Sequence, residues 1–179
     1  MKTSMFVAGA AVLSAAVLAA LPAAAQTAPA FYGNVGYTAV DSSDDVVLGA
    51  ITGRFGAKLV PNFGLEAEAG FGVKDDSVNV GGVNVETELK HSVGVYAVGF
   101  LPINEQFELL ARVGYATTKI EASAGGFSAD DSEESWNYGV GAQYNFDAVN
   151  GVRADYTRYE FDNDGGEADT WAVSYVRKF

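Results

Sequence analysis

From Phe63 to Lys74 apolar residues alternate one for one with others. Phe63, Leu65, Ala67, Ala69, Phe71 and Val73 fall on one side of an extended chain, and Gly64, Glu66, Glu68, Gly70, Gly72 and Lys74 fall on the other. A helix would scatter both sets around its circumference, whereas a strand separates them. The same period of two recurs over residues 31–40, 46–59, 63–74, 86–101, 107–120, 135–146, 151–161 and 169–179. Each segment has about the ten residues that a tilted strand needs to cross a bilayer. The pattern predicts an all-β fold, an eight-stranded antiparallel transmembrane β-barrel.

The connections alternate as well. Val60-Pro61-Asn62, Pro102 to Gln106 and Asp147 to Asn150 are short. Asp41 to Asp45, Asp75 to Val85, Glu121 to Glu134 and Asp162 to Ala168 are longer and acidic. Short turns on one rim and long loops on the other fit an outer-membrane barrel with both termini in the periplasm. Within the second long loop, Val78 to Val85 reads as a hairpin closed by Gly81-Gly82 that extends the third and fourth strands beyond the membrane.

Alternation alone does not separate a membrane barrel from a soluble one, because only the direction of the apolar face differs. Two features choose the lipid-facing version. The polar face is rich in glycine (Gly64, Gly70, Gly72, Gly94, Gly114, Gly139 and Gly141), which weakens an exposed strand but suits a crowded interior. Aromatics gather at the segment ends of the apolar face: Phe31, Phe63, Phe107, Phe146 and Phe179 at the periplasmic end, Tyr37, Phe71, Tyr115, Trp136 and Trp171 at the other. Two such belts match two membrane interfaces.

Composition narrows the function. The chain has 179 residues, no Cys and a formal charge of -12. The acidic balance argues against nucleic acid, whose phosphates would repel it, and the absence of Cys rules out a disulfide framework and thiolate metal sites. Residues 1–25 read as a secretory signal peptide: Lys2, an apolar stretch from Met5 to Leu21, and Ala23-Ala24-Ala25 before the cut. Residues 26–179 then form the barrel domain, and loss of Lys2 leaves a mature charge of −13.

Parity turns one set of charges inward, toward the periplasmic half of the lumen: Arg54, Lys58, Glu66, Glu68, Glu108, Arg112, Arg153, Asp155 and Lys178. Unpaired buried charge costs several kcal/mol per ion, so a paired interior network is expected. An eight-stranded lumen is just wide enough for side chains, which favours a packed core over a gate and makes a general diffusion pore improbable. His91, Lys119 and Arg158 fall on the outward face near the outer interface, where they are candidates for contact with lipid phosphates. The string Asp162-Asn163-Asp164-Gly165-Gly166-Glu167 superficially resembles a calcium loop but lacks the flanking helices and the distal Glu of that pattern. His91 is the lone histidine. Its neighbour Ser92 projects to the opposite face, so the pair forms no catalytic dyad. No enzyme, cofactor or small-molecule substrate is read from the chain.

Three stretches carry a family resemblance: Gly94-Val95-Tyr96-Ala97-Val98-Gly99-Phe100-Leu101-Pro102, Ala111-Arg112-Val113-Gly114-Tyr115, and the ending Ser174-Tyr175-Val176-Arg177-Lys178-Phe179. The mature chain resembles the small outer-membrane β-barrel family, the porin-family or OmpA-like transmembrane domains. The resemblance implies that Phe179, with Tyr175 on the same face, acts as a C-terminal assembly signal, and that the outer-membrane assembly machinery is a transient partner. Arg177 departs from the apolar or aromatic residue usual at its position, and at the periplasmic rim it can snorkel. No peptidoglycan-binding domain follows, so a cell-wall tether is not implied. The reading is an integral outer-membrane barrel of a Gram-negative bacterium, in contact with outer-membrane lipid and lipopolysaccharide, with a structural or envelope-integrity role. A narrow channel and adhesion through the extracellular loops are the alternatives.

Overall fold

The computed structural model describes residues 29–42, 47–74, 76–80, 83–124, 127–162 and 166–179. The leader expected over 1–25, the Gly81-Gly82 turn and the centres of the loops at 43–46 and 163–165 lie outside them. Among the described residues the chain forms nine strands: β1 (Ala30–Ser42), β2 (Val47–Val60), β3 (Phe63–Lys74), β4 (Asp76–Val80), β5 (Val83–Pro102), β6 (Phe107–Ala124), β7 (Phe127–Asn145), β8 (Asn150–Phe161) and β9 (Glu167–Lys178). They pair in the order β3-β2-β1-β9-β8-β7-β6-β5-β4, and β3 also pairs with β5 to close the sheet on itself. Both β3 and β4 run antiparallel along β5. They therefore make one stave of a closed eight-stranded barrel, as the alternation predicts.

The direction of the side chains is the reverse of that in a soluble protein. Val95 and Trp171 are 65% and 62% exposed, whereas Arg153 is 0% and Arg112 and Glu66 are each 3% exposed. Apolar surface on this scale is stable against lipid and not against water. Aromatic pairs reinforce the belts near both rims: Phe31 stacks on Phe55 at 5.9 Å and Tyr144 meets Phe146 at 5.7 Å. Nearer the other rim Tyr115 meets Trp136 at 5.4 Å and Tyr156 meets Trp171 at 4.8 Å.

The short turns are built by side chains that replace backbone partners. Asn104 Oδ1 accepts the N–H groups of Gln106 (2.9 Å) and Phe107 (2.8 Å). Asp147 Oδ1 accepts those of Val149 and Asn150, both at 2.7 Å. Asn and Asp favour such turns because their oxygen stands in for a carbonyl. The start of β1 and the end of β9 lie on this same rim, where Tyr32 pairs with Lys178.

The opposite rim corrects one expectation. Residues 121–134 were expected as a long loop, but β6 and β7 stay paired out to Ala124↔Phe127. Beyond the bilayer no lipid demands an apolar face, so the hydrophobic alternation fades while backbone pairing continues. The Val78 to Val85 hairpin does extend its stave, with Val80↔Val83 as its last pair. Together β4, β5, β6 and β7 raise the wall on one side of the barrel.

Two irregularities sit side by side beneath that raised wall. The ladder of β2 with β3 shifts between Gly49↔Lys74 and Ala50↔Gly72, which makes Val73 an extra residue. That of β5 with β6 shifts between Leu89↔Ile120 and His91↔Lys119, which makes Lys90 extra. Such bulges re-aim side chains. Here Leu89 turns into the lumen, where it is buried with Leu48 and Ala50, while Lys90 faces outward and pairs with Glu121 at 3.3 Å.

Candidate functional site

The lumen holds the most concentrated chemistry of the molecule. Arg54 on β2 and Glu68 on β3 are direct ladder partners, with Nε to Oε2 at 2.5 Å. Arg112 reaches the same Glu68 oxygen from β6 at 2.7 Å. Arg153 on β8 crosses to Glu66 Oε2 at 2.8 Å and holds Asp155 Oδ1, two residues along its own strand, at 2.7 Å. Arg54 closes the circuit through Asp155 Oδ2 at 3.0 Å. Three arginines and three carboxylates thus form one neutral set of six, tying β2 and β3 to β6 and β8 across the lumen.

The carboxylates need further donors, because two charges taken from water repay their desolvation only when the remaining lone pairs are also satisfied. Tyrosines supply them. Tyr32 donates to Glu66 Oε2 at 3.0 Å, and Tyr96 and Tyr159 both donate to Glu68 Oε1 at 3.2 Å. Asn137 donates to the Tyr96 oxygen at 2.9 Å. The Arg112 guanidinium lies 3.7 Å from the centre of the Tyr96 ring, a cation–π contact that strengthens when desolvated. Glycine lets these rings lie against the wall: a Cβ on Gly56 would run into the Tyr32 ring, and one on Gly114 into that of Tyr96.

Read along β2, the interior is layered. At the turn rim Lys58 pairs with Glu108 at 2.5 Å and covers the Phe100 ring at 4.0 Å, with Lys178 half-buried in the same mouth. An apolar cluster of Tyr32, Tyr96, Val98, Phe100, Leu110 and Val176 follows. Then come Arg54 and the six-residue set, and then Thr52, whose hydroxyl bonds that of Thr38 at 2.8 Å. The cluster of Leu48, Ala50 and Leu89 lies nearest the loop rim.

Of the nine charges that parity turns inward, six form the central set, Lys58 and Glu108 form a separate pair, and Lys178 is half-buried in the mouth beside that pair. The tyrosines and Asn137 were missed, although the same parity places them inside; a count restricted to charges passes over them. On the outer surface His91 and Lys119 are ladder partners and Arg158 lies elsewhere on the rim. Its guanidinium is held by Asp169 at 2.8 and 2.9 Å, with Glu167 at 3.3 Å. Tyr175 faces outward and donates to Asn150 Oδ1, and the Phe179 N–H bonds the Phe31 carbonyl at 2.9 Å. The middle of the Asp162–Glu167 string, residues 163–165, lies outside the described residues.

Three comparisons place this geometry among known proteins. Residues 10–179 match the family described as "Outer membrane protein beta-barrel domain". No curated protein matches the sequence. Among solved structures, Ail of Yersinia pestis, determined with the heparin analogue sucrose octasulfate, superposes with a TM-score of 0.61 at 19% identity, covering 86% of this chain and 100% of that one. The N-terminal β-barrel domain of Pseudomonas aeruginosa OprF gives 0.63 at 11% identity over 84% and 97%. The outer membrane protein OprG of the same organism gives 0.59 at 11% over 86% and 97%.

Proposed function

Because the chain belongs to the outer-membrane β-barrel family, we propose that it is a closed, non-enzymatic barrel of the Gram-negative outer membrane that contributes to envelope integrity. The observation that carries this reading is the filled lumen. The neutral set of six spans four staves and is bounded by apolar clusters on both sides, an arrangement that opposes a water-filled path. The short turns and both strand ends face the periplasm in this reading, and the raised strands face outward, as in barrels of this kind. Phe179 and Tyr175, at the end of the closing strand, serve the assembly machinery.

Planar-bilayer recording of the purified mature chain tests the closed lumen, and silence across the accessible voltage range is expected. Discrete conductance steps from the wild type would overturn it. Deletion of the gene should raise sensitivity to detergents and large antibiotics, with restoration by the wild-type chain; an unaltered barrier in the deletion strain would remove the integrity role.

The raised strands favour a second reading, contact with an external surface. Ail was solved with a heparin analogue, a polyanion. This chain carries -12, and the strands of its raised wall include Glu121, Asp130, Asp131, Glu133 and Glu134, so Coulomb repulsion disfavours the same class of ligand here. A neutral or basic surface fits better. Cells bearing a chain trimmed above the rim should lose attachment while keeping their barrier; equal attachment would dispose of adhesion.

A further inference from the structure

Asn150 and Gly151 form the one Asn-Gly step in the chain, and the turn between β7 and β8 demands both residues. A Cβ on Gly151 would lie 2.7 Å from the Tyr144 carbonyl oxygen and 3.4 Å from the Asn145 Cα. Main chain held in a ladder does not yield cheaply, so the position selects glycine. The Asn150 amide is used at both ends. Its Nδ2 donates to Asp147 Oδ2 at 2.9 Å and to Oδ1 at 3.1 Å, and its Oδ1 accepts from the Tyr175 hydroxyl. Packing and hydrogen bonding thus place side by side two residues whose chemistry is unstable together.

The instability is intramolecular. The Gly151 backbone nitrogen forms a bond to Asn150 Cγ, the Cγ–Nδ2 bond breaks, and Nδ2 leaves as ammonia with the proton that the backbone nitrogen gives up. The cyclic imide then takes up water and opens at either carbonyl, to Asp or to an isoaspartyl link. Glycine favours the attack because no side chain shields its nitrogen and its backbone turns freely. The folded turn removes that freedom. Gly151 sits in two ladders at once, opposite Asn145 on β7 and Val176 on β9, and the Asn150 carbonyl holds the Phe146 N–H at 2.9 Å. Before Cγ can meet the nitrogen, the amide must leave Asp147 and Tyr175, and the peptide plane must rotate out of the sheet.

We infer that Asn150-Gly151 is a deamidation site that folding shuts: it reacts while the chain is unfolded, and in the barrel Asp147, Tyr175 and the two ladders keep it intact. Reaction before folding spoils the turn. In the Asp product a carboxylate faces Asp147 where an amide N–H stood, and like charges at hydrogen-bond range repel. Arg177, the ladder partner of Asn150, offsets only part of that. In the isoaspartyl product the main chain runs through Cβ and Cγ, which lengthens it where β8 begins and puts that strand out of step with β7. A chain delayed before insertion therefore loses the turn that joins β7 to β8.

The test compares the mature chain held unfolded in guanidinium chloride with the same chain refolded in phosphatidylcholine vesicles, both in one mildly alkaline buffer. Peptide mass spectrometry reads residue 150 over time. In guanidinium, Asp and isoaspartate should accumulate there ahead of every other Asn. In the barrel they should form at least about tenfold more slowly, because conversion follows the fraction of time that the turn stands open. The folded double variant D147A/Y175F should convert faster than the folded wild type, while G114V, which crowds the lumen instead, should not. Heat-modifiable electrophoretic migration confirms that each variant is folded. N150D, a mimic of one product, should refold less completely than the wild type. No conversion in guanidinium would overturn the site. Equal rates in the two states, or a double variant no faster than the wild type or than G114V, would refute the guard. Full refolding of N150D would dispose of the penalty on late chains.

Discussion

Glu68 accepts from Arg54, Arg112, Tyr96 and Tyr159, so removing it takes from the buried Arg112 its hydrogen-bonded carboxylate and leaves Arg54 with Asp155. Breaking a buried pair by deleting one partner typically costs about 3–5 kcal/mol. Glu68→Leu is therefore expected to lose that much stability, read from urea unfolding in vesicles by the fluorescence of Trp136 and Trp171. Adding Arg54→Leu should restore part of the loss, and strict additivity would refute the coupling. Gly114 acts through shape instead. A side chain there runs into both the Val95 carbonyl and the Tyr96 ring, so Gly114→Val should destabilise by about 1–3 kcal/mol. The inward position of every charged partner was legible from parity alone, since parity follows from the strand and not from the fold. Which carboxylate each arginine chooses was not legible. That depends on which non-adjacent staves face each other across the lumen, a property of closure that no single strand encodes.

At the scale of elements, the membrane-spanning strands were readable because lipid imposes a one-sided apolar pattern on each. Where β6 and β7 leave the bilayer that pressure ends, and with it the signal. The bulges escaped notice for a related reason: an extra residue mimics a local fault in the alternation, and only the opposing ladder shows which strand carries it. Deleting Lys90 should make Leu89↔Ile120 and His91↔Lys119 consecutive rungs, undoing one of them while keeping Leu89 in the lumen. The chain has no Cys, so Leu89→Cys provides a clean reporter: unreactive to a thiol reagent with Lys90 present and equally so once Lys90 is removed. Labelling that appears only in the deletion would contradict the assigned register. In the turn between β7 and β8, the Asn150 side chain and the N–H groups of Val149 and Asn150 hold the Asp147 carboxyl below its ordinary value. Because the folded value is depressed, the contribution of Asp147 is present in full above the unfolded value near 3.8 and fades as the pH falls below it. The stability gap between wild type and Asp147→Ala should be constant at neutral pH and shrink in acid, as measured by unfolding at several pH values.

For the whole molecule, charge is segregated by position: balanced inside and acidic in excess overall. At physiological salt the folded chain should pass through a heparin column without retention, and retention comparable to that of a basic protein would contradict the electrostatic argument. The raised wall has a further consequence. Its hairpins prolong ladders that already run through the bilayer, so their pairing phase is inherited from below. A residue added to each arm of a hairpin, opposite the other, heightens the crest by one rung and leaves every lower pair in step. A single unmatched insertion must instead be absorbed as a kink or transmitted downward. The crest is thus free to lengthen in matched increments over evolutionary time, while the part embedded in lipid stays as it is.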